Sequence, residues 1–235
     1  MTASLNVSGL VLRRAEWRDY DRMITLLTSE QGKLEAVVRG CRRPKSELIN
    51  ASEPFVCGQF QLYFAHERYS VTQMKLTDGF FPLRENLDRL TVGAGWLRLL
   101  EKVSPENEPA GELLNMSLEA LSFLSYTDVD EKLLNLMFQL KLLRLTGFSP
   151  ATEVCAVCGK KLDENDLYFD AQKGGCVCRG CSVSARKLSY GAGRILKKAP
   201  KAPFKSVEML IPHPDWPEAA EKTAQFVRFA VGDGE

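Results

Sequence analysis

Four cysteines set in two C-x-x-C pairs constrain this chain more than any other feature. Cys155 and Cys158 form the first pair, Cys178 and Cys181 the second, and nineteen residues separate them. Each pair lets two thiolates converge on one ion from a tight turn, and two such turns complete a tetrahedron. Gly159 follows the first pair and Gly180 sits inside the second, small residues that let the backbone fold around a metal. The pattern predicts one structural Zn2+ per chain on Cys155, Cys158, Cys178 and Cys181. Four thiolates close the coordination sphere and leave no position for an activated water. Cys176 leaves the third ligand open, because it could replace Cys178 or remain a free thiol; the symmetric knuckle favours Cys178. A redox dithiol and an iron–sulfur cluster are the competing uses, although no thioredoxin-like βαβ unit surrounds the pairs. The seven cysteines are an odd number, and the start Met1-Thr2-Ala3-Ser4-Leu5 has no basic stretch leading into an apolar one. Both features predict a chain that is not exported and uses its cysteines for metal rather than disulfides.

Upstream of that insert the hydrophobic period changes once. Residues 1–80 alternate with period two or form short apolar runs. Val7 to Arg14, Arg22 to Thr28, Lys33 to Arg39, Phe55 to Phe64 and Tyr69 to Thr77 read as strands, with Ser29-Glu30-Gln31-Gly32 as a hairpin turn. In the third stretch Leu34, Ala36 and Val38 share one face. About five strands without a long helix predict a small barrel or sandwich. An OB-fold is one such barrel, but periodicity alone does not select it.

From residue 83 the spacing is helical. Leu87 to Val103, Ala110 to Leu124 and Glu131 to Gly147 read as helices, the third apolar almost all round and therefore central, with Gly147 and Pro150 as its stop. Residues 151–185 are the cysteine-rich insert. Ala219, Ala220, Thr223, Phe226, Val227 and Ala230 predict a last helix. The expected architecture is α+β and multidomain: a barrel over 1–80, a helical domain over 81–150 completed by 186–235, and a four-cysteine zinc module over 151–185. No apolar run reaches the length of a membrane span.

The net charge of +1 hides an uneven distribution. Residues 31–45 carry Lys33, Arg39, Arg42, Arg43 and Lys45 against Glu35. Residues 186–205 carry seven cations and no acid, and residues 101–135 carry eight acids against two lysines. Arg13 and Arg14 end the first strand. On a small barrel the first set and these two could line a groove that follows a phosphate backbone; the bland alternative is a solvated face. The 186–205 run reads as an extended or loosely helical segment, a second nucleic-acid contact, a dock for an acidic tail, or a plain connector. Catalysis finds no support. Only His66 and His213 are present, and no nucleophile elbow, H-E-x-x-H or phosphate-binding loop occurs, so no catalytic residue is assigned.

Several segments together resemble a known family. Gly9-Leu-Val-Leu-Arg-Arg, Asp21-Arg-Met-Ile-Thr-Leu-Leu-Thr28, Gly32-Lys33 and Arg39-Gly40-Cys41-Arg42-Arg43-Pro44-Lys45-Ser46 are similar to the start of the bacterial recombination mediator family RecO. Leu145-Thr-Gly147-Phe148-Ser-Pro150, the first cysteine pair with Gly159, and Gly174-Gly175 before the second pair are similar to its middle. The resemblance covers residues 5 to about 185. It implies an OB-fold, a helical domain with an embedded zinc module, and a non-enzymatic role in DNA repair and recombination. It further implies binding of single- and double-stranded DNA, strand annealing, contacts with RecR and the acidic C-terminal tail of SSB, and help in loading RecA. By position Arg13, Arg14, Lys33 and Arg39 match the family's basic barrel surface, and Arg42, Arg43 and Lys45 its basic loop. Such a protein is cytoplasmic and nucleoid-associated. Cys176 departs from the pattern. A zinc-ribbon transcription or RNA-binding factor is the alternative class.

Overall fold

The structure is a computed structural model that describes residues 3–183, 186–210 and 214–232. Met1, Thr2 and His213, which entered the reading of the sequence, lie outside them. The chain packs as two compact units that divide between Tyr126 and Thr127.

In the first unit five strands close into a barrel: β1 (Ala3–Trp17), β2 (Asp21–Thr28), β3 (Gly32–Val38), β4 (Cys57–Ala65) and β5 (Arg68–Asp78). Their order is β1-β2-β3-β5-β4, closed by antiparallel pairing of β1 with β4 and by a short parallel pairing of β3 with β5. That order, with one long strand serving two partners, is an OB-fold-like barrel. The first half of β1 pairs with β4 from Ala3 to Leu10, and the second half pairs with β2 from Gly9 to Trp17, with a register shift between Val11 and Arg13. The bulge re-aims the strand as it turns the barrel corner.

The barrel core holds Val7, Val11, Ile24, Leu26, Ala36, Val38, Phe60, Leu62 and Val71, with Leu34 and Tyr69 packed against it. Thus Leu34, Ala36 and Val38 do share the inward face of β3. Leu10, Leu12 and Leu27 point outward yet are buried, because α1 (Leu87–Val103) and α2 (Gly111–Tyr126) pack on β1 and β2. Asn86 caps α1 by accepting from the Arg89 N–H at 3.1 Å.

The second unit is built on α3 (Glu131–Leu145), which buries Leu134, Leu136, Met137, Phe138, Leu140, Leu142 and Leu143. Asp130 caps its start through the N–H groups of Lys132 and Leu133. At its end Gly147, at φ +78°, lets the Phe148 N–H reach the Leu143 carbonyl at 2.8 Å and its own N–H reach Arg144 at 3.2 Å, a left-handed C-terminal cap that a side chain at 147 would strain. The cysteine-rich insert forms β6 (Tyr168–Asp170), β7 (Gly175–Val177) and β8 (Arg186–Lys187) in the order β7-β6-β8. Next come α4 (Tyr190–Lys198), the short α5 (Val207–Leu210) and α6 (Trp216–Val231). α6 packs on α3 and α4, and Phe226 meets Phe169 of β6 edge to face at 6.2 Å. Among the described residues no helix is long and apolar enough to cross a membrane.

Candidate metal centre and nucleic-acid interface

Backbone turns bring the four cysteines together. In the first knuckle the Cys155 N–H donates to Lys160 O at 2.7 Å and the Gly159 N–H to Cys155 O at 2.9 Å. In the second, Cys178 leads into a 3-10 turn over Arg179–Cys181, and the Cys181 N–H donates to Cys178 O at 3.0 Å. The knuckles are docked by pairing between distant segments: Cys176 N–H to Ala151 O at 2.7 Å and Ala156 N–H to Cys176 O at 3.0 Å. Gly175 makes this approach possible, since a Cβ there would lie 2.4 Å from the Ala151 nitrogen.

The result is a cluster in which the sulfurs of Cys155, Cys158, Cys178 and Cys181 all lie within 4.8 Å of one another. Cys158 and Cys178 are 3.8 Å apart. A tetrahedral ion with metal–sulfur bonds of ~2.3 Å spaces its ligands at about that distance, so the four residues fit one metal ion. Their electrostatics points the same way. Burial opposes ionisation of Cys155, but N–H groups of Cys158, Cys178 and Val157, with the Cys158 side chain, outweigh it and hold the thiol down at about 6. Hydrogen bonding to Cys178 leads the causes that push Cys181 up to about 12, joined by Cys158 and Cys155. Four sulfurs this close cannot all carry charge without a cation between them. Cys176, in β7, is a separate case: it is fully buried and not part of the cluster, and burial pushes its thiol up to about 12. The geometry therefore places Cys178, not Cys176, in the four-sulfur set.

The seven cations singled out on the barrel fall into two groups. Arg13 and Lys33 lie beside the helices. The Arg13 Nε donates to Glu101 of α1 at 2.7 Å and its terminal nitrogen lies 3.5 Å from Glu35. The Lys33 Nζ reaches the Glu101 carbonyl oxygen at 3.0 Å and Glu106 at 3.3 Å, and its N–H donates to Pro105 O at 2.7 Å. Lys33 lies at the start of β3 and Arg39, expected on the same strand face, lies just past its end, so six residues of nearly extended chain put them about 20 Å apart.

The other end of the barrel carries the rest. Arg14 pairs with Glu53, Glu53 with Arg22 at 2.8 Å, Arg22 with Glu16 at 3.3 Å, and Glu16 with Arg42 at 2.7 Å. Three guanidiniums thus alternate with two carboxylates. Burial opposes the charge of Arg22, but Glu53 and Glu16 outweigh it and hold its pKa above the ordinary value. Arg43 lies over the Tyr20 ring at 5.3 Å, and Arg39 and Lys45 are exposed, with no ion pair among the described residues. Sequence reading missed three neighbours. Arg68, from the β4–β5 hairpin, sits over the Trp17 ring at 5.1 Å; Tyr20 is half exposed; and Arg22 links the carboxylates. The pairing of an arginine with an aromatic on two different hairpins had no local signature; only the Arg18-Asp-Tyr20 turn between two strands hinted at it. Of the barrel aromatics, Phe60 is core, whereas Tyr63 is exposed.

Comparison with known proteins agrees with this architecture along the whole chain. Residues 1–80 match the family described as Recombination protein O N terminal, and residues 84–235 match Recombination protein O C terminal. A protein of Acetivibrio thermocellus named DNA repair protein RecO is 32% identical over 195 residues, covering 82% of this chain and 77% of that protein. Its namesake in Symbiobacterium thermophilum is 31% identical over 201 residues, covering 83% and 79%, and that of Caldanaerobacter subterraneus 28% over 193 residues, covering 82% and 77%. With both halves matched in order around a five-stranded barrel and a four-cysteine cluster, this chain belongs to the recombination protein O family.

Proposed function

We propose that this chain is a non-enzymatic DNA repair protein that binds single- and double-stranded DNA on the loop end of its barrel and anneals complementary strands. The observation that carries this reading is the ion-pair chain Arg14–Glu53–Arg22–Glu16–Arg42, with Arg43 over Tyr20 and Arg68 over Trp17 on the β1–β2 and β4–β5 hairpins, the loop surface that OB-folds offer to oligonucleotides. Cations there neutralise phosphates and release counterions, and the two aromatic rings offer stacking platforms. Two strands repel one another, and screening that repulsion needs positive charge but no nucleotide hydrolysis. Arg13 and Lys33 have carboxylate partners on the helical side and in this reading hold α1 and the following turn against the barrel.

In the same reading residues 1–80 hold DNA and residues 151–185 are a zinc module whose ion is structural; the helical domain expected over 81–150 and 186–235 divides instead, with α1 and α2 packed on the barrel and α3 to α6 in the second unit. Four thiolates suit Zn2+, whose role there is to cross-link the two knuckles; the chain's own residues hold the fold and the DNA. The family also implies contacts with RecR and the SSB tail, help in loading RecA onto SSB-coated DNA, and a cytoplasmic, nucleoid-associated location. The test is an annealing assay with bare and SSB-coated complementary strands. Faster annealing in both cases is expected. Failure to anneal, with tight binding to one duplex or RNA sequence, would overturn the reading in favour of a zinc-ribbon regulator.

A further inference from the structure

We propose that the outer face of α4 is a second nucleic-acid contact, engaging a strand other than the one on the barrel. The proposal rests on the DNA-binding reading above and deepens it. Ala192, Ile195, Leu196 and Ala199 recur at i, i+3, i+4 and i+7 and are buried. Shifted by two residues, Arg194, Lys197, Lys198 and Lys201 recur at the same spacing on the opposite face. The helix and the 3-10 turn Ala199–Lys201 that prolongs it therefore bury one stripe and present four cations on the other.

The stripe is extended by its neighbours. Arg144 at the end of α3 donates to the Pro200 carbonyl at 3.2 Å, which brings another guanidinium to its far end, and Lys205 follows, exposed. At the near end Arg194 lies over the ring of Tyr190, 5.5 Å from its centroid, and that ring is 46% exposed. Among the described residues the carboxylate paired to the stripe is Glu164, 2.9 Å from Lys197, whose charge Glu153 also favours from farther off. Lys197 holds that carboxyl below its ordinary range, with Arg194 and Lys198 contributing. Favourable interaction with the helix dipole accounts for Lys197 and Lys198 in the last turn. It does not account for Arg194 in mid-helix or Lys201 beyond it. From Arg194 to Lys201 the stripe runs about 10 Å, the length of about three phosphates of one strand along a duplex. A line of charge of that length beside an exposed aromatic ring fits a phosphodiester backbone better than a single anion.

Two labelled, non-complementary single strands mixed with the full chain provide the test, read as energy transfer between them. In the parent protein both are held at once. Replacing Arg194, Lys198 and Lys201 with Gln is expected to cut the bridging signal about tenfold and slow annealing, while affinity for the first strand changes less than about twofold. Arg194→Lys with Lys198→Arg and Lys201→Arg keeps the charge and is expected to keep bridging. Lys198→Gln alone, at an exposed position that leaves the helix intact, is expected to halve the signal, roughly one phosphate contact's share. A triple Gln variant that bridges like the parent overturns the proposal, as does loss of binding to a Glu-rich peptide without loss of bridging. Arg42→Ala with Arg43→Ala reports separately on the barrel: parental first-strand affinity there overturns the barrel reading, whatever α4 does.

Discussion

Strands of seven to fifteen residues close the barrel around a dozen buried side chains, whereas the sheet beside the cysteines has strands of three, three and two residues. The barrel needs nothing but its apolar interior and its ladder of hydrogen bonds. The cysteine module buries few large side chains, Leu167, Phe169, Val177 and Leu188 among them, and its knuckles are tight turns. A segment of that size cannot offset its ordering entropy from apolar burial alone. Enclosed surface stabilises one region, and the four-sulfur cluster fits an ion that would stabilise the other, so the two should fail under different insults.

The largest difference should appear on metal removal. A strong chelator, or Cys181→Ser, should open residues 151–188 to rapid amide hydrogen exchange while β1–β5 keep their protection, since structural zinc sites contribute about 10–16 kcal/mol of apparent binding energy to folding. Equal loss of protection in the barrel would erase the distinction. The converse insult is Leu62→Ala, a fully buried position, which should cost the barrel about 2–5 kcal/mol and leave metal content at one ion per chain by elemental analysis. Third in size is Arg42→Ala with Arg43→Ala. It should lower DNA affinity about tenfold or more at low salt and reduce the salt slope by about two, without moving the melting temperature. The smallest effect is expected from Arg13→Ala: with Glu101 and Glu35 as its partners, it should change DNA affinity less than about twofold and stability by less than about 1 kcal/mol. A large loss of binding there would place the interface on the helical side of the barrel instead.

Sequence patterning carried much of this architecture. Leu34, Ala36 and Val38 were assignable to one face because β3 has solvent or a thin cover on the other. β1 was harder: only Val7 to Arg14 reads as a strand, but fifteen residues form it. Its outward Leu10 and Leu12 are buried under helices, so alternation disappears, and the bulge near Val11 shifts the period where the strand changes partners. α4 was legible only as a loose segment, since Gly191 and Gly193 argue against a helix. Ser189, which accepts from the Ala192 N–H, and the 192/195/196/199 spacing were the signals that could have found it. The four clustered cysteines were largely legible in their spacing, because each knuckle is local, but the choice of Cys178 over Cys176 needed the structure. The split of the barrel cations into two groups was not, because Glu101 and Glu106 are 88 and 73 residues away in the chain from Arg13 and Lys33.

If the barrel binds DNA as proposed, the alternating chain from Arg14 through Glu53, Arg22 and Glu16 to Arg42 carries a kinetic consequence. Guanidiniums that already hold carboxylates meet an incoming strand by exchange: a phosphate displaces a side-chain oxygen, and the displaced oxygen stands ready to take its place back. Such contacts are pre-aligned yet individually shallow. On the proposed DNA-binding reading, a surface built this way would capture strands quickly and release the finished duplex.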